Sequence, residues 1–120
     1  MIPKTKSHIW KMSPTTDSLE TIYRFTTGTF KIASLQSITY DDIVREFGEP
    51  SINVPSGDNK IQVEWVFVFD GKPFTIYDWK TFDRDYTLQE LTTWSIGGKE
   101  RDPEFIEALT ESLTTKSKIV

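Results

Sequence analysis

Four carboxylates are the only side chains whose types and positions could form a catalytic or metal-binding set: Glu64, Asp78, Asp83 and Asp85. Oxygen-rich clusters of this kind suit Mg²⁺ or Ca²⁺. Asp83 and Asp85 flank Arg84, but this segment lacks the glycine and the terminal glutamate of a calcium loop. A metal-dependent hydrolase that uses Asp78, Asp83 and Asp85 is therefore one hypothesis, without a motif to support it.

Most other catalytic chemistry is excluded by composition. The chain has no cysteine and a single histidine, His8. It therefore has no cysteine nucleophile, thiolate metal site or disulfide framework, and one chain cannot form a multi-histidine metal site. We expect no cofactor and no enzymatic activity.

Tyr77 and Trp79 are a more informative pair. They share one face of a predicted strand with Glu64 and Gln62 opposite them, and Lys80 follows at once. Flat aromatic rings beside hydrogen-bonding groups stack on a base or ring, or form the centre of a protein interface. Alternatively, a helix covers this face and both rings are core residues. The residues predicted to bind a ligand or partner are Glu64, Tyr77, Trp79, Lys80, Arg84 and Trp94.

A predicted hairpin over residues 60–80 positions these side chains. Asp70-Gly71 predicts a two-residue type I′ turn, because both central positions of that turn need positive φ. Phe69 then faces Lys72, and the other pairs follow. The predicted core face carries the pairs Phe67–Phe74, Trp65–Ile76 and Val63–Asp78. The predicted contact face carries Val66–Thr75, Glu64–Tyr77 and Gln62–Trp79.

In the predicted register, the side chain of Asp78 points to the core face of the sheet, which is unusual for an acid. Either it lies at the end of the sheet and hydrogen-bonds a loop, or it is a functional group of a site. The first interpretation is favoured because buried polar groups normally find partners.

The remaining elements are predicted from shorter patterns. Segments 21–26 and 29–34 are β-branched and aromatic, which predicts a first hairpin. A helix over 39–47 begins with a Thr39–Asp42 capping box and ends at Gly48. Residues 80–90 are predicted to be a contact-making loop, and residues 91–96 a strand that Gly97-Gly98 ends.

A second helix starts at Asp102-Pro103 and runs to about residue 114. The pattern predicts an α+β fold: an antiparallel sheet of about five strands (two hairpins plus a strand) packed with two helices, in the order ββαβββα. Residues 1–20 are predicted to be an irregular N-terminal arm, 21–115 a single domain and 116–120 a tail. Exchange of the arm, with its Trp10, would produce a homodimer.

Charge is unevenly spread along the chain. Residues 1–35 carry five Lys/Arg and two Asp/Glu, whereas residues 36–120 carry nine Lys/Arg and sixteen Asp/Glu. An acidic body argues against direct nucleic-acid binding, which depends on Lys/Arg contacts with phosphates. With no secretory segment and no long apolar run, we expect a soluble intracellular protein without membrane contact.

Four short sequence strings occur in a fixed order: FGEP at 47–50, VEW at 63–65, TIYDWK at 75–80 and WSIGG at 94–98. The chain thereby resembles a family of small uncharacterised bacteriophage proteins over about residues 38–98. The resemblance implies a viral accessory protein in the cytoplasm of an infected host cell.

Two further hypotheses follow. The first is a non-enzymatic binding protein that inhibits or sequesters a host factor, either a host protein or a small signalling nucleotide of antiviral defence. The second is a minor structural component of a virion or other assembly.

Overall fold

The computed structural model describes residues 9–14, 17–54, 56–57, 60–79 and 88–118, apart from the side chains of residues 89 and 115–118. Its elements in chain order are β1 (Trp10–Lys11), α1 (Leu19–Phe25), β2 (Phe30–Gln36), α2 (Tyr40–Phe47), β3 (Glu64–Phe69), β4 (Lys72–Tyr77), a 3-10 turn (Leu88–Glu90), β5 (Thr93–Gly98) and α3 (Pro103–Lys118). The strands form one antiparallel sheet in the order β1-β3-β4-β5-β2. The predicted α+β class is confirmed.

The central hairpin has the predicted turn and register. Asp70 and Gly71 have φ of 53° and 74°, as a type I′ turn requires. β3 and β4 pair from Phe69–Lys72 at the turn to Glu64–Tyr77 at the open end. Over this range the two faces of the hairpin carry the residues assigned to them from the sequence, whereas the predicted pairs Val63–Asp78 and Gln62–Trp79 lie beyond the ends of the two strands.

One face of the sheet is the main core, covered by α2 and α3. Phe74 stacks on Phe105 of α3 with ring centroids 4.0 Å apart and planes at 9°. Trp65 meets Trp94 edge-on at 5.6 Å, and both side chains are fully buried. Each indole N–H still donates a hydrogen bond to a backbone carbonyl, which removes the cost of burying it.

The two predicted helices are present. The Thr39 hydroxyl accepts from the Asp42 amide while the Asp42 carboxylate accepts from the Thr39 amide, so α2 begins with a complete capping box. The Asp102 carboxylate accepts from the amides of residues 104 and 105 at the start of α3. α3 continues to Lys118, so residues 116–118 belong to a helix and not to a tail.

The predicted first hairpin is wrong in its first strand, because residues 19–25 form α1. Ser18 caps this helix by accepting from the Thr21 amide. Ile22 and Phe25, three residues apart, lie on one side of the helix and pack against Val66 of the sheet. Strand propensity is worth only about 1 kcal/mol per residue, and burial of this helical face outweighs it.

The segment predicted to be an irregular arm supplies an edge strand. Trp10 and Lys11 pair with Val68 and Phe67 of β3, and Met12 is buried. Ser51 supports this edge, since its hydroxyl donates to the Met12 carbonyl and accepts from the amide of β3 residue 66. Residues 1–8 and 15–16 of the predicted arm lie outside the described residues.

β5 continues through Gly97 and ends at Gly98, so both glycines are residues of the strand, whereas the sequence predicted a strand that stops before them. A Cβ atom on Gly97 would be 2.5 Å from Thr75 Oγ1, and one on Gly98 would be 2.9 Å from the Phe74 ring. Neighbouring side chains on the two faces therefore occupy the space that β5 side chains would need. The glycines are required by close approach across the sheet and not by a turn.

We predict that Gly97→Ala lowers the free energy of unfolding by about 1–3 kcal/mol, because the added methyl overpacks the sheet against Thr75. Urea denaturation followed by circular dichroism measures the change. Gly57→Ala is the matched control, since nothing lies within 4 Å of a Cβ atom there. A Gly97→Ala/Thr75→Ala double variant should regain part of the loss, and equal stability of both single variants would contradict the prediction.

Candidate functional site

The second face of the sheet is covered only in part. α1 shields one region through a small cluster of Met12, Ile22, Ile52 and Val66. Beside it is a half-open cleft of about 460 Å³. The cleft is lined by Thr29, Phe30, Lys31, Ile61, Glu64, Tyr77 and Trp79.

Three strand ends bring these residues together. Glu64 begins β3 and Tyr77 ends β4, and the antiparallel register places them opposite each other. Across β5, Gly97 pairs with Lys31 near the start of β2. The Glu64 backbone is also bonded to Ile52 through both its N–H and its C=O, each at 2.9 Å. The backbone that carries this carboxyl group is therefore paired on both sides, with Tyr77 of β4 and with Ile52.

The aromatic walls differ in exposure. Tyr77 is 9% exposed and Trp79 is 48% exposed, with ring centroids 6.3 Å apart and planes at 79°. The Tyr77 ring lies over Gly97, with its Cε1 atom 3.2 Å from the position that a Cβ would take. Tyr77 thus offers a fixed surface, whereas Trp79 offers an open ring face or edge. The Lys60 ammonium lies 5.7 Å from the Trp79 ring centroid.

Glu64 is the acidic group of the cleft. Burial, and to a smaller extent the negative charge of Asp78, raise the pKa of its carboxyl to about 7, although the nearby Thr75 hydroxyl acts in the opposite direction. Thr75 Oγ1 is the one buried side-chain polar atom of the described residues that has no hydrogen bond of normal geometry. Burial and the Glu64 charge also raise the pKa of the Tyr77 phenol. Near neutral pH, Glu64 is thus divided between its acid and carboxylate forms.

Of the two roles predicted for Asp78, the structure shows the first: it lies at the end of the sheet and hydrogen-bonds the neighbouring segment. It is fully buried and accepts from the Val63 amide at 2.9 Å and from the Gln62 amide at 2.8 and 3.1 Å. Burial raises the pKa of this carboxyl although the backbone hydrogen bonds act in the opposite direction. Asp78 therefore ties the end of β4 to the segment that leads into β3, and so helps to position Glu64.

Of the three other predicted binding residues, Trp94 is the one that the structure describes, and it does not join Glu64, Tyr77 and Trp79. Trp94 is buried in the main core on the opposite face, where its indole donates to the Ile38 carbonyl. Lys80 and Arg84 lie outside the described residues, as do His8, Asp83 and Asp85. Within the described part of the chain, no three His, Cys, Asp or Glu side chains are grouped so as to hold a metal ion.

Sequence reasoning did not identify Thr29, Phe30, Lys31 and Ile61 as cleft residues. Phe30 lies in the second segment of the predicted first hairpin, and its side chain is 57% exposed. The pairing of β2 with β5 brings the start of β2 to the cleft, and no local pattern marks this contact between distant segments. Lys60, whose ammonium lies near the Trp79 ring, is the first residue of the predicted hairpin, but the sequence analysis did not single it out.

Comparison of the chain with protein-family models, curated proteins and solved structures found no match. None of the helices in the described ranges has the length and apolar character needed to cross a membrane. The chemical character of the cleft itself is the basis for a functional proposal: aromatic surfaces, one buried carboxyl group and lysines nearby.

Proposed function

We propose that this protein is a non-enzymatic binding protein that holds a small planar ring compound in the cleft. The observation that carries the proposal is the placement of Tyr77 and Trp79 around Glu64 in a half-open space of about 460 Å³. Pockets for small molecules commonly measure about 300–1,000 Å³ and combine apolar walls with a few polar groups. The open Trp79 ring supplies a surface for stacking, and Glu64 supplies hydrogen bonds that orient the ring.

The composition of the cleft supports binding more than turnover. Among the described residues that line the cleft there is one carboxyl group, that of Glu64, and the nearby Asp78 carboxylate accepts hydrogen bonds from backbone amides. Acid–base catalysis commonly pairs two groups with different pKa values and places both within reach of the substrate. We therefore propose that the ligand is retained and released unchanged.

The bacteriophage resemblance supplies a setting for this activity. We propose that the protein acts in an infected cell by sequestering a small molecule of the host, so that the molecule no longer reaches its usual receptor. A stoichiometric binding protein can do this without catalysis when its concentration exceeds that of the ligand. The abundance of the protein and its affinity for the ligand would then determine how much of the ligand is sequestered.

Trp79→Ala is predicted to weaken ring binding by about 5- to 150-fold, because base–aromatic stacking contributes about 1–3 kcal/mol per base. The measurement is tryptophan fluorescence titration of the purified chain with guanosine, adenosine, cytidine, indole and riboflavin. Trp10→Ala is the matched control, since Trp10 is 63% exposed but does not line the cleft.

The proposal requires at least one ring compound to bind with a dependence on Trp79. It would be contradicted if none bound at millimolar concentration, or if both tryptophan variants changed binding equally. Chromatography of the ligand after overnight incubation tests the absence of turnover, and the compound should be recovered intact.

A further inference from the structure

We infer, on the basis of the proposed ring-binding function, that the cleft recognises a guanine nucleotide. The guanine base would lie against Trp79 with its N1–H and N2–H donors on the Glu64 carboxylate, and its phosphate would lie towards Lys31 and Lys60. Three features of the described residues carry this inference: the flat aromatic walls, the Glu64 carboxylate between them, and the cations Lys31 and Lys60 beside them.

The acceptor pattern of Glu64 distinguishes among the bases. A carboxylate offers two oxygens in one plane and accepts only, whereas guanine presents two adjacent N–H donors in the same plane. Adenine and cytosine present a donor beside an acceptor, so they would match only a protonated acid. Charge-assisted hydrogen bonds are about twice as strong as neutral ones, which favours the base that engages the ionised form.

The charges around the cleft favour an anionic substituent on that base. Lys31 lines the cleft, and the Lys60 ammonium lies over the Trp79 ring. A cationic ligand would have to enter beside these two positive charges, and Lys60 already occupies the cation–π position on Trp79. A neutral base that carries a phosphate satisfies both the carboxylate and the lysines.

The first test is isothermal titration calorimetry of the full chain with guanosine and inosine at pH 8. Inosine keeps N1–H and lacks the N2 amino group, so it should bind at least tenfold more weakly. GMP should bind more tightly than guanosine, and a Lys31→Gln/Lys60→Gln variant should lose a larger factor of affinity for GMP than for guanosine. Equal affinity for guanosine and inosine would overturn the inference.

The second test is the pH dependence of guanosine binding, since guanosine has no phosphate that titrates in this range. Among the described residues, the charged or titratable groups around Glu64 are Tyr77 on β4, Asp78 just after β4, Lys31 on β2 and Lys60 before β3. The pKa of Glu64 is about 7, so its ionised fraction rises about tenfold between pH 6 and pH 8. Guanosine affinity should increase by a similar factor, and Glu64→Gln should remove both this dependence and the preference over inosine.

The outcomes separate this inference from the proposed function. If adenosine binds better and more tightly at pH 6 than at pH 8, Glu64 acts as a protonated donor and the guanine inference is wrong. If indole or riboflavin binds in a Trp79-dependent manner without any guanine preference, the ring-binding function stands and the inference is wrong. If no ring compound binds, both fail.

Discussion

Replacing Trp65 with alanine is expected to remove about 3–5 kcal/mol of the free energy of unfolding. The indole is fully buried, meets Tyr40 at 5.5 Å and Trp94 at 5.6 Å edge-on, and donates to the Gly48 carbonyl at 2.9 Å. Alanine leaves a cavity between α2 and the sheet and removes that hydrogen bond. Single domains have a total stability of about 5–15 kcal/mol, so this loss is a large fraction of the total.

Urea denaturation followed by circular dichroism measures this loss. Trp10→Ala is the control with the same chemical change, and its exposed site predicts a change within about 0.5 kcal/mol. Trp65→Phe should fall between the two, because it retains an aromatic ring and loses the indole donor. An unchanged denaturation midpoint for Trp65→Ala would contradict the assignment of this ring to the core.

Glu64→Gln is expected to stabilise the free protein above neutral pH. The pKa of Glu64 rises from 4.5 to about 7 because the carboxyl is buried, so the folded protein binds this proton more tightly than the unfolded chain does. The stability of the parent therefore falls as pH rises from about 4.5 to about 7 and stays lower above that range. At about 1.4 kcal/mol per pKa unit, the penalty is about 3 kcal/mol at pH 8, and glutamine avoids it.

The difference between variant and parent, measured by urea denaturation from pH 4.5 to pH 8, isolates Glu64. Asp78 also has a raised pKa and lowers stability in the same direction, but it is present in both proteins. Asp42 acts in the opposite direction, since the Thr39 backbone hydrogen bond lowers its pKa and its contribution is lost in acid. Glu100→Gln on the exposed surface is the control. Parallel stability curves for Glu64→Gln and the parent would contradict the predicted penalty.

An acid that destabilises the fold at neutral pH is consistent with a role in binding. Glutamine would fill the same space without the charge penalty, and a leucine would suit an ordinary sheet face. Binding and catalytic sites commonly keep groups that cost stability because the ligand compensates for them. The proposed ligand would compensate by donating hydrogen bonds to the carboxylate, and ligand binding should therefore stabilise the parent more than Glu64→Gln.

Sequence alone determined the elements whose signals are local. Asp70-Gly71 permits few turns other than the observed one, and this turn sets the register that places Glu64, Tyr77 and Trp79 on one face. The capping box of Thr39 and Asp42 similarly marks where α2 begins. In each case the interacting groups are neighbours in the chain, so their types and spacing are enough.

Tertiary structure decided whether that face is open and what surrounds it. Residues 19–25 form a helix because the sheet offers Ile22 an apolar surface, and this helix covers only part of the face. Lys31 reaches the cleft through the pairing of β2 with β5, and Gly97 is needed because the Tyr77 ring crosses its strand. These outcomes depend on packing between segments that are far apart in the chain. The energies that decide them come from contacts between residues, so the type of each residue alone does not predict them.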